Sequence, residues 1–135
     1  MNRFSNLNRR LYRLSGGRIG GKFPGGAKIL LLSTTGRKSG KERTLPLLYL
    51  RDGDKLIIVA SKGGHDHHPH WYLNLKANPD VVAQVKSDKR TMRAQDATAE
   101  EHARYWPELA AMYDGYEKYT KLTDRKIPVV VLSPR

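Results

Sequence analysis

Lys28 to Ser61 reads KILLLSTTGRKSGKERTLPLLYLRDGDKLIIVAS, and its alternation of apolar runs with short turns decides the fold. Lys28 to Thr35, Arg43 to Arg51 and Lys55 to Ser61 are β-branched or apolar runs of strand length, bounded by the turn chemistry of Gly36–Gly40 and Asp52-Gly53-Asp54. Links this short join antiparallel neighbours, because a parallel pair needs a crossover of a dozen or more residues.

Downstream of this stretch, Val81 to Ser87 and Thr91 to Ala97 read as two more strands turning at Asp88-Lys89, and Ile127 to Leu132 reads as a last one. Trp71 to Lys76 predicts a short helix ended by Asn78-Pro79. Thr98 to Tyr113 predicts a longer one, opened by the capping box Thr98-Ala99-Glu100-Glu101 and carrying Ala103, Trp106, Leu109, Ala110 and Tyr113 at helical spacing. Asp114-Gly115 breaks it before a short turn that carries Tyr116 and Tyr119. The expected fold is mainly β (α+β): a closed or nearly closed antiparallel barrel with inserted helices, not a doubly wound sheet.

The chain has 135 residues, enough for one domain with its own core. Asn2 to Leu14 fits a basic amphipathic helix, either packed on the domain or lying on a membrane, and Gly16 to Gly26 fits a glycine-rich connector. The barrel domain is therefore expected to span residues 27–135, after an N-terminal element over 1–26. Cysteine is absent, which excludes thiol catalysis and cysteine zinc sites. No apolar run approaches a membrane span and no signal-peptide core follows the basic N-terminus, so a cytoplasmic location is expected. The net charge of +12 and pI near 10.1 favour polyanionic partners: nucleic acid, anionic membrane or a small molecule. Helix-turn-helix, RNP-type aromatic and Cys/His finger patterns are missing.

The turn between the first two strands gathers Arg37, Lys38, Lys41 and Arg43 around Gly36 and Gly40. Two readings fit it: an anion cradle suited to phosphate, or a solvated basic hairpin tip. A Walker A loop is excluded, because only three residues separate the glycines and a strand follows Lys41-Glu42. Ser61, at the end of the third strand before Lys62-Gly63-Gly64, is a candidate polar contact without a neighbouring base. His65 to His70 holds four histidines, but the spacing of a zinc site is lacking and no metal is expected. Trp71 and Tyr72 offer aromatic faces for a planar ligand, although core packing is the commoner use of such residues, and Tyr113, Tyr116 and Tyr119 fit either a core stripe or a pocket rim. With no paired carboxylates for acid/base work, an enzyme of this composition would take its chemistry from a bound cofactor.

Six segments together resemble the deazaflavin-dependent nitroreductase family, in its quinone-reductase-like branch: Thr34-Thr35-Gly36-Arg37-Lys38-Ser39-Gly40, Arg43-Thr44-Leu45-Pro46-Leu47, Arg51-Asp52-Gly53, Ala60-Ser61-Lys62-Gly63-Gly64, His68 to Pro79, and Thr123 to Val129. The resemblance implies a split β-barrel of the flavin-reductase and pyridoxamine-phosphate-oxidase type that binds reduced coenzyme F420, a 5-deazaflavin with a phosphate and a polyglutamate tail. It implies that Arg37, Lys38, Ser39 and Arg43 hold the tail and phosphate. Thr44, Leu45, Pro46, Leu47, Leu48, Val59, Ala60, Ser61, Lys62, His70, Trp71, Tyr72, Leu73 and Asn74 would enclose the deazaflavin, with Tyr116 touching cofactor or acceptor. Hydride transfer to a quinone or an activated nitro compound is the implied reaction, with Ser61, Tyr113, Tyr116 and Tyr119 orienting the acceptor. Certain members carry two adjacent aromatics where this chain has Leu48-Tyr49, so bulky nitroimidazoles are not expected substrates. Because quinones reside in membranes, weak peripheral contact through the N-terminus is also expected. The alternatives are a non-enzymatic basic module for nucleic acid or anionic membrane, and a carrier of F420 or FMN.

Overall fold

Nine elements follow one another in the computed structural model, which describes residues 28–61, 67–123 and 126–135. They are β1 (Lys28–Thr35), β2 (Glu42–Asp52), β3 (Lys55–Val59), α1 (His70–Ala77), β4 (Asp80–Val85), β5 (Asp88–Asp96), α2 (Ala99–Met112), α3 (Gly115–Thr120) and β6 (Val129–Pro134). The expected N-terminal helix and connector, Lys62 to Asp66, and Asp124-Arg125 lie outside the described residues. The six strands close into one barrel in the order β1-β2-β3-β6-β5-β4, every pair antiparallel.

Period-two alternation sorts the side chains into two cores. Leu30, Leu32, Tyr49, Leu56, Ile58, Val81, Ala83, Met92, Ala94, Val130 and Leu132 fill the barrel interior. On the outside, Ile57, Val59, Val129 and Val131 pack against Tyr105 and Leu109 of α2 and Tyr116 of α3. β3 and β6 are thus apolar on both faces, which is why they read as continuous hydrophobic runs. β5 is covered on one face only, so Met92 and Ala94 are buried while Thr91, Arg93 and Gln95 are exposed. α1 closes one end of the barrel, contributing Trp71, Tyr72 and Leu75 to the interior core.

The turns follow register rather than residue preference. Val85 pairs with Asp88, so the tight β4–β5 link is Lys86-Ser87, ahead of the Asp88-Lys89 turn expected from sequence. Lys86 takes a φ of 55° there, and the Gln84 side chain donates to its carbonyl at 2.9 Å. Bringing Val81, Ala83, Met92 and Ala94 to the same inner face fixes that register. β6 starts after Pro128, which has no N–H for the ladder; its carbonyl instead accepts from Ala60 N at 2.9 Å.

Pairing between β2 and β3 is confined to Leu50–Ile57, Arg51–Leu56 and Asp52–Lys55. Among the described strands, the first half of β2 is therefore paired along β1 alone, and it leaves β3 free to turn toward β6. This is the split in the barrel.

The capping box of α2 is formed as read. Thr98 Oγ1 accepts from Glu101 N at 3.1 Å and Glu101 Oε1 accepts from Thr98 N at 3.0 Å. Pro107 sits inside this helix without ending it, since Tyr105 and Leu109 anchor the turns on either side in the outer core. Replacing Thr98 with Ala is expected to cost about 1 kcal/mol in denaturant unfolding, with the slope unchanged.

Candidate functional site

Between β1 and β2 the chain makes a compact loop closed by its own backbone. Gly36 N donates to Lys41 O and Gly40 N to Gly36 O, both at 2.8 Å, and Lys41 N donates to Ser39 Oγ at 3.2 Å. Gly40 has a φ of 71°, and a Cβ on Gly36 would fall 2.7 Å from Ser39 Oγ, so both glycines are required by the loop's shape. Since Arg37 N is also engaged, only the amides of Lys38 and Ser39 have no protein partner among the described residues. The attraction for an anion therefore comes chiefly from side chains, not from the converging backbone amides that the glycine spacing suggests. Lys38, Lys41 and Arg43 are exposed, and none pairs with a carboxylate among the described residues.

Arg37 is placed differently from those three cations. Its backbone N–H and Nη1 both donate to Asn74 Oδ1, at 3.1 and 2.9 Å, and its Nη2 lies 3.4 Å from His70 Nδ1. Asn74 Nδ2 in turn donates to Thr34 Oγ1 at 3.4 Å. The buried amide of Asn74 is thus committed to joining α1 to the end of β1 and to the loop. Trp71 and Tyr72 are each 7% exposed, so core packing describes them better than a ligand wall does. Tyr72 donates to Asp96 Oδ1 at 2.9 Å, and Lys76 pairs with Asp96 at 2.6 Å. Burial, reinforced by the hydrogen bond to Asp96 and its charge, holds the Tyr72 phenol well above its ordinary pKa. Leu73 is half-buried against the interior core and His70 is exposed. His68 rests against the Tyr72 ring at 4.9 Å, and no cluster with metal-ligand composition occurs among the described residues.

The remaining candidates divide by strand parity. Leu45 and Leu47 face the barrel interior with Ala60, whereas Thr44, Pro46 and Leu48 lie on the outer face. The Thr44 hydroxyl is buried 2.7 Å from Ser33 Oγ and 3.3 Å from Glu42 Oε1. Leu48 and Val59 join the outer core beside the three tyrosines, so the split brings together segments that are separate in sequence. Half-buried Ser61 follows directly after Ala60.

The tyrosines form one cluster. The rings of Tyr113 and Tyr116 meet edge-on at 5.0 Å, and the Tyr113 and Tyr119 hydroxyls are hydrogen-bonded at 2.8 Å. Burial pushes Tyr116 well above the ordinary phenol range, with Tyr113 and Tyr119 adding to it. The hydrogen bond with Tyr113, then burial, raises Tyr119 to about 12. At neutral pH Tyr116 and Tyr119 therefore keep their protons and act as neutral hydrogen-bonding groups. Trp106 and Glu117, which flank the cluster, carried no functional signal in the sequence: they lie on different helices and meet only when these pack.

A closed antiparallel barrel that splits between β2 and β3, with a basic loop at the head of β2, defines a split β-barrel protein. The chain belongs to the F420H(2)-dependent quinone reductase family, whose model matches residues 5–134. It is 44% identical over 132 residues to an F420H(2)-dependent quinone reductase of Mycobacterium tuberculosis, covering 96% of this chain and 89% of that one. A solved structure described as an F420-H2 dependent reductase, FDR-A, is 40% identical with a TM-score of 0.72, over 78% of this chain and 93% of that one. A protein of Listeria innocua assigned as a pyridoxamine 5'-phosphate oxidase shares the fold at 11% identity and a TM-score of 0.58, over 96% of this chain and 94% of that one.

Two outcomes follow from the geometry. Asn74→Leu strands the Thr34 hydroxyl and the Arg37 amide and is expected to lower stability by about 1–3 kcal/mol in urea unfolding. Raised phenol pKa values mean that the neutral form is favoured in the fold, so this stability is complete below pH 10 and is lost as pH rises through about 12. An alkaline titration followed in the near ultraviolet should show Tyr119 ionising near 12 in the native protein and near the ordinary value of 10.0 after denaturation.

Proposed function

We propose that Lys38, Lys41 and Arg43 hold the phosphate and carboxylates of the F420 tail, and that the acceptor lies beside Tyr113, Tyr116 and Tyr119 at the barrel split. The protein is an oxidoreductase of the F420H(2)-dependent quinone reductase family, with coenzyme F420 as cofactor and a quinone as acceptor. The observation that carries the site assignment is the loop itself, with three exposed cations that have no carboxylate partner among the described residues, at the end of β2 that departs from β3. The residues fit the group: the cations match an anionic tail, and the half-buried Leu48 side chain, on the outer face beside the tyrosines, matches an apolar ring system.

Reduced F420, when bound, supplies a hydride from C5 of its deazaflavin. The protein's part is positioning and electrostatics. A quinone that accepts hydride gains negative charge on oxygen, and a neutral phenol donating a hydrogen bond stabilises that charge. Tyr119 Oη and Tyr113 Oη, already sharing one proton between them in a hydrogen bond, leave one O–H of the pair for the acceptor. Ser61 Oγ is the further orienting group from β3's end. Tyr49 is buried in the barrel and Leu48 points to the tyrosines, so an aromatic at position 48 would wall this pocket; with leucine there, quinones are favoured over bulky nitroimidazoles, while smaller activated nitro compounds remain acceptors.

Peripheral membrane contact fits the same reading. Leu122, the large apolar side chain left 67% exposed among the described residues, ends the turn after α3 next to Tyr119, flanked by exposed Lys118 and Lys121. No helix among the described residues is long and apolar enough to cross a membrane.

Titration with oxidised and reduced F420, then anaerobic mixing of the reduced complex with a menaquinone analogue, tests the proposal through deazaflavin absorbance. One cofactor per protomer and acceptor-dependent oxidation are expected, with Lys38→Ala and Arg43→Ala each weakening binding about tenfold or more. Binding of neither form, together with broad salt-sensitive binding of nucleic acid or anionic vesicles, would establish the basic-module reading instead. Tighter binding of FMN than of F420 would move the assignment to a flavin carrier.

A further inference from the structure

α3 is six residues long, which is too short to be stable alone, and its N-cap Asp114 makes no side-chain cap. Yet it carries Tyr116 and Tyr119, whose positions define the cluster. Something outside the helix must fix its angle and rotation. Tyr116 anchors one face of α3 in the outer core, while the side-chain bonds within the segment, the exposed Lys118–Asp114 pair at 3.6 Å and the Thr120 Oγ1 bond to Glu117 O at 2.6 Å, are local and do not set its rotation.

The tie comes from α2. Trp106 Nε1–H donates to the Glu117 carboxylate, a link between residues on two different helices. The same indole is stacked on His102, one turn earlier on α2, at 5.3 Å and 10° between planes. It also leans on the Tyr116 ring at 6.4 Å. Trp106 therefore meets α3 twice, by a charge-assisted hydrogen bond at Glu117 and by ring contact at Tyr116, while His102 fixes its orientation. Gly115 allows α3 to start against Tyr113, since a Cβ there would run into that ring.

We propose that Trp106 and Glu117 are positioning residues for the acceptor site: their hydrogen bond latches α3 to α2 and so sets the Tyr113–Tyr119 hydroxyl pair. This rests on the reading above, in which those hydroxyls face the acceptor. Neither residue is in the basic loop or the interior core, so the latch acts at the acceptor and leaves the contacts of the cofactor's tail in place. Glu117 is exposed, and its removal leaves both cores intact.

The test compares Glu117→Ala, Glu117→Gln, Trp106→Phe and Tyr119→Phe in the full chain, measuring F420 affinity, acceptor KM and kcat with a menaquinone analogue, and the alkaline phenol titration. Glu117→Ala and Trp106→Phe are expected to raise acceptor KM about tenfold, the loss of one hydrogen bond to the quinone carbonyl. F420 affinity should stay within about twofold. Glu117→Gln, which still offers an oxygen to the indole N–H, should restore the KM. In Glu117→Ala the Tyr119 ionisation should fall from about 12 toward 10.0 as its bond to Tyr113 loosens. If Tyr119→Phe raises KM but Glu117→Ala and Trp106→Phe do not, the latch is refuted and the tyrosine site stands. If none of them changes KM, the tyrosine site itself is refuted and the latch falls with it. A loss of F420 affinity as large as the change in KM, or a Glu117→Gln variant as impaired as Glu117→Ala, also overturns the latch.

Discussion

The pairing of β3 with β6, from Leu56–Leu132 to Val59–Val129, is the constraint on which the rest of the molecule depends. It brings the end of the chain back to its early hairpins and closes the sheet, leaving Leu56, Ile58, Val130 and Leu132 inside and Ile57, Val59, Val129 and Val131 outside. With both faces apolar, this pair needs cover on both, and α2 and α3 supply the outer one. Leu56 and Ile57 pair with β2 on one edge and β6 on the other, but beyond Ile57 only the β6 ladder continues, and that divergence from β2 opens the split. The helices that cover the β3–β6 pair are the ones that bring the tyrosines to it.

The two halves of the site are built by different forces. The tyrosine rim is held by burial, ring contacts and hydrogen bonds among neutral groups. The loop is held by its own amides and by Asn74, leaving its lysines and Arg43 outside the scaffold. Charge that takes no part in holding the fold is available to a ligand without cost to stability. Arg37 is the exception, and its guanidinium spans the boundary between the two roles by linking the loop to His70 and Asn74.

The strands were legible because β-branched and apolar runs bounded by short turns carry that information locally. β1 was read to its last residue, and the Thr98 cap to its partner Glu101. The β4–β5 turn was misplaced because aspartate is a good turn residue anywhere, whereas the turn's position depends on which inward residues face each other across the pair. The cations of the loop could be seen in sequence, but not that Arg37 would be taken up by Asn74, a partner 37 positions away. Trp71 and Tyr72 looked alike as ligand walls or core, and only barrel closure decides. The Trp106–Glu117 contact was invisible for the same reason: nothing local marks two residues that meet when helices pack.

The half of β2 that β3 does not follow also bears on how the chain behaves beside its own copies. A strand segment paired on one side is a template for adding another strand, and a barrel otherwise has none. Here Pro46 has no N–H to offer an incoming backbone, and the segment begins with charged Glu42 and Arg43. The split is thus a poor place for a second strand to pair its backbone.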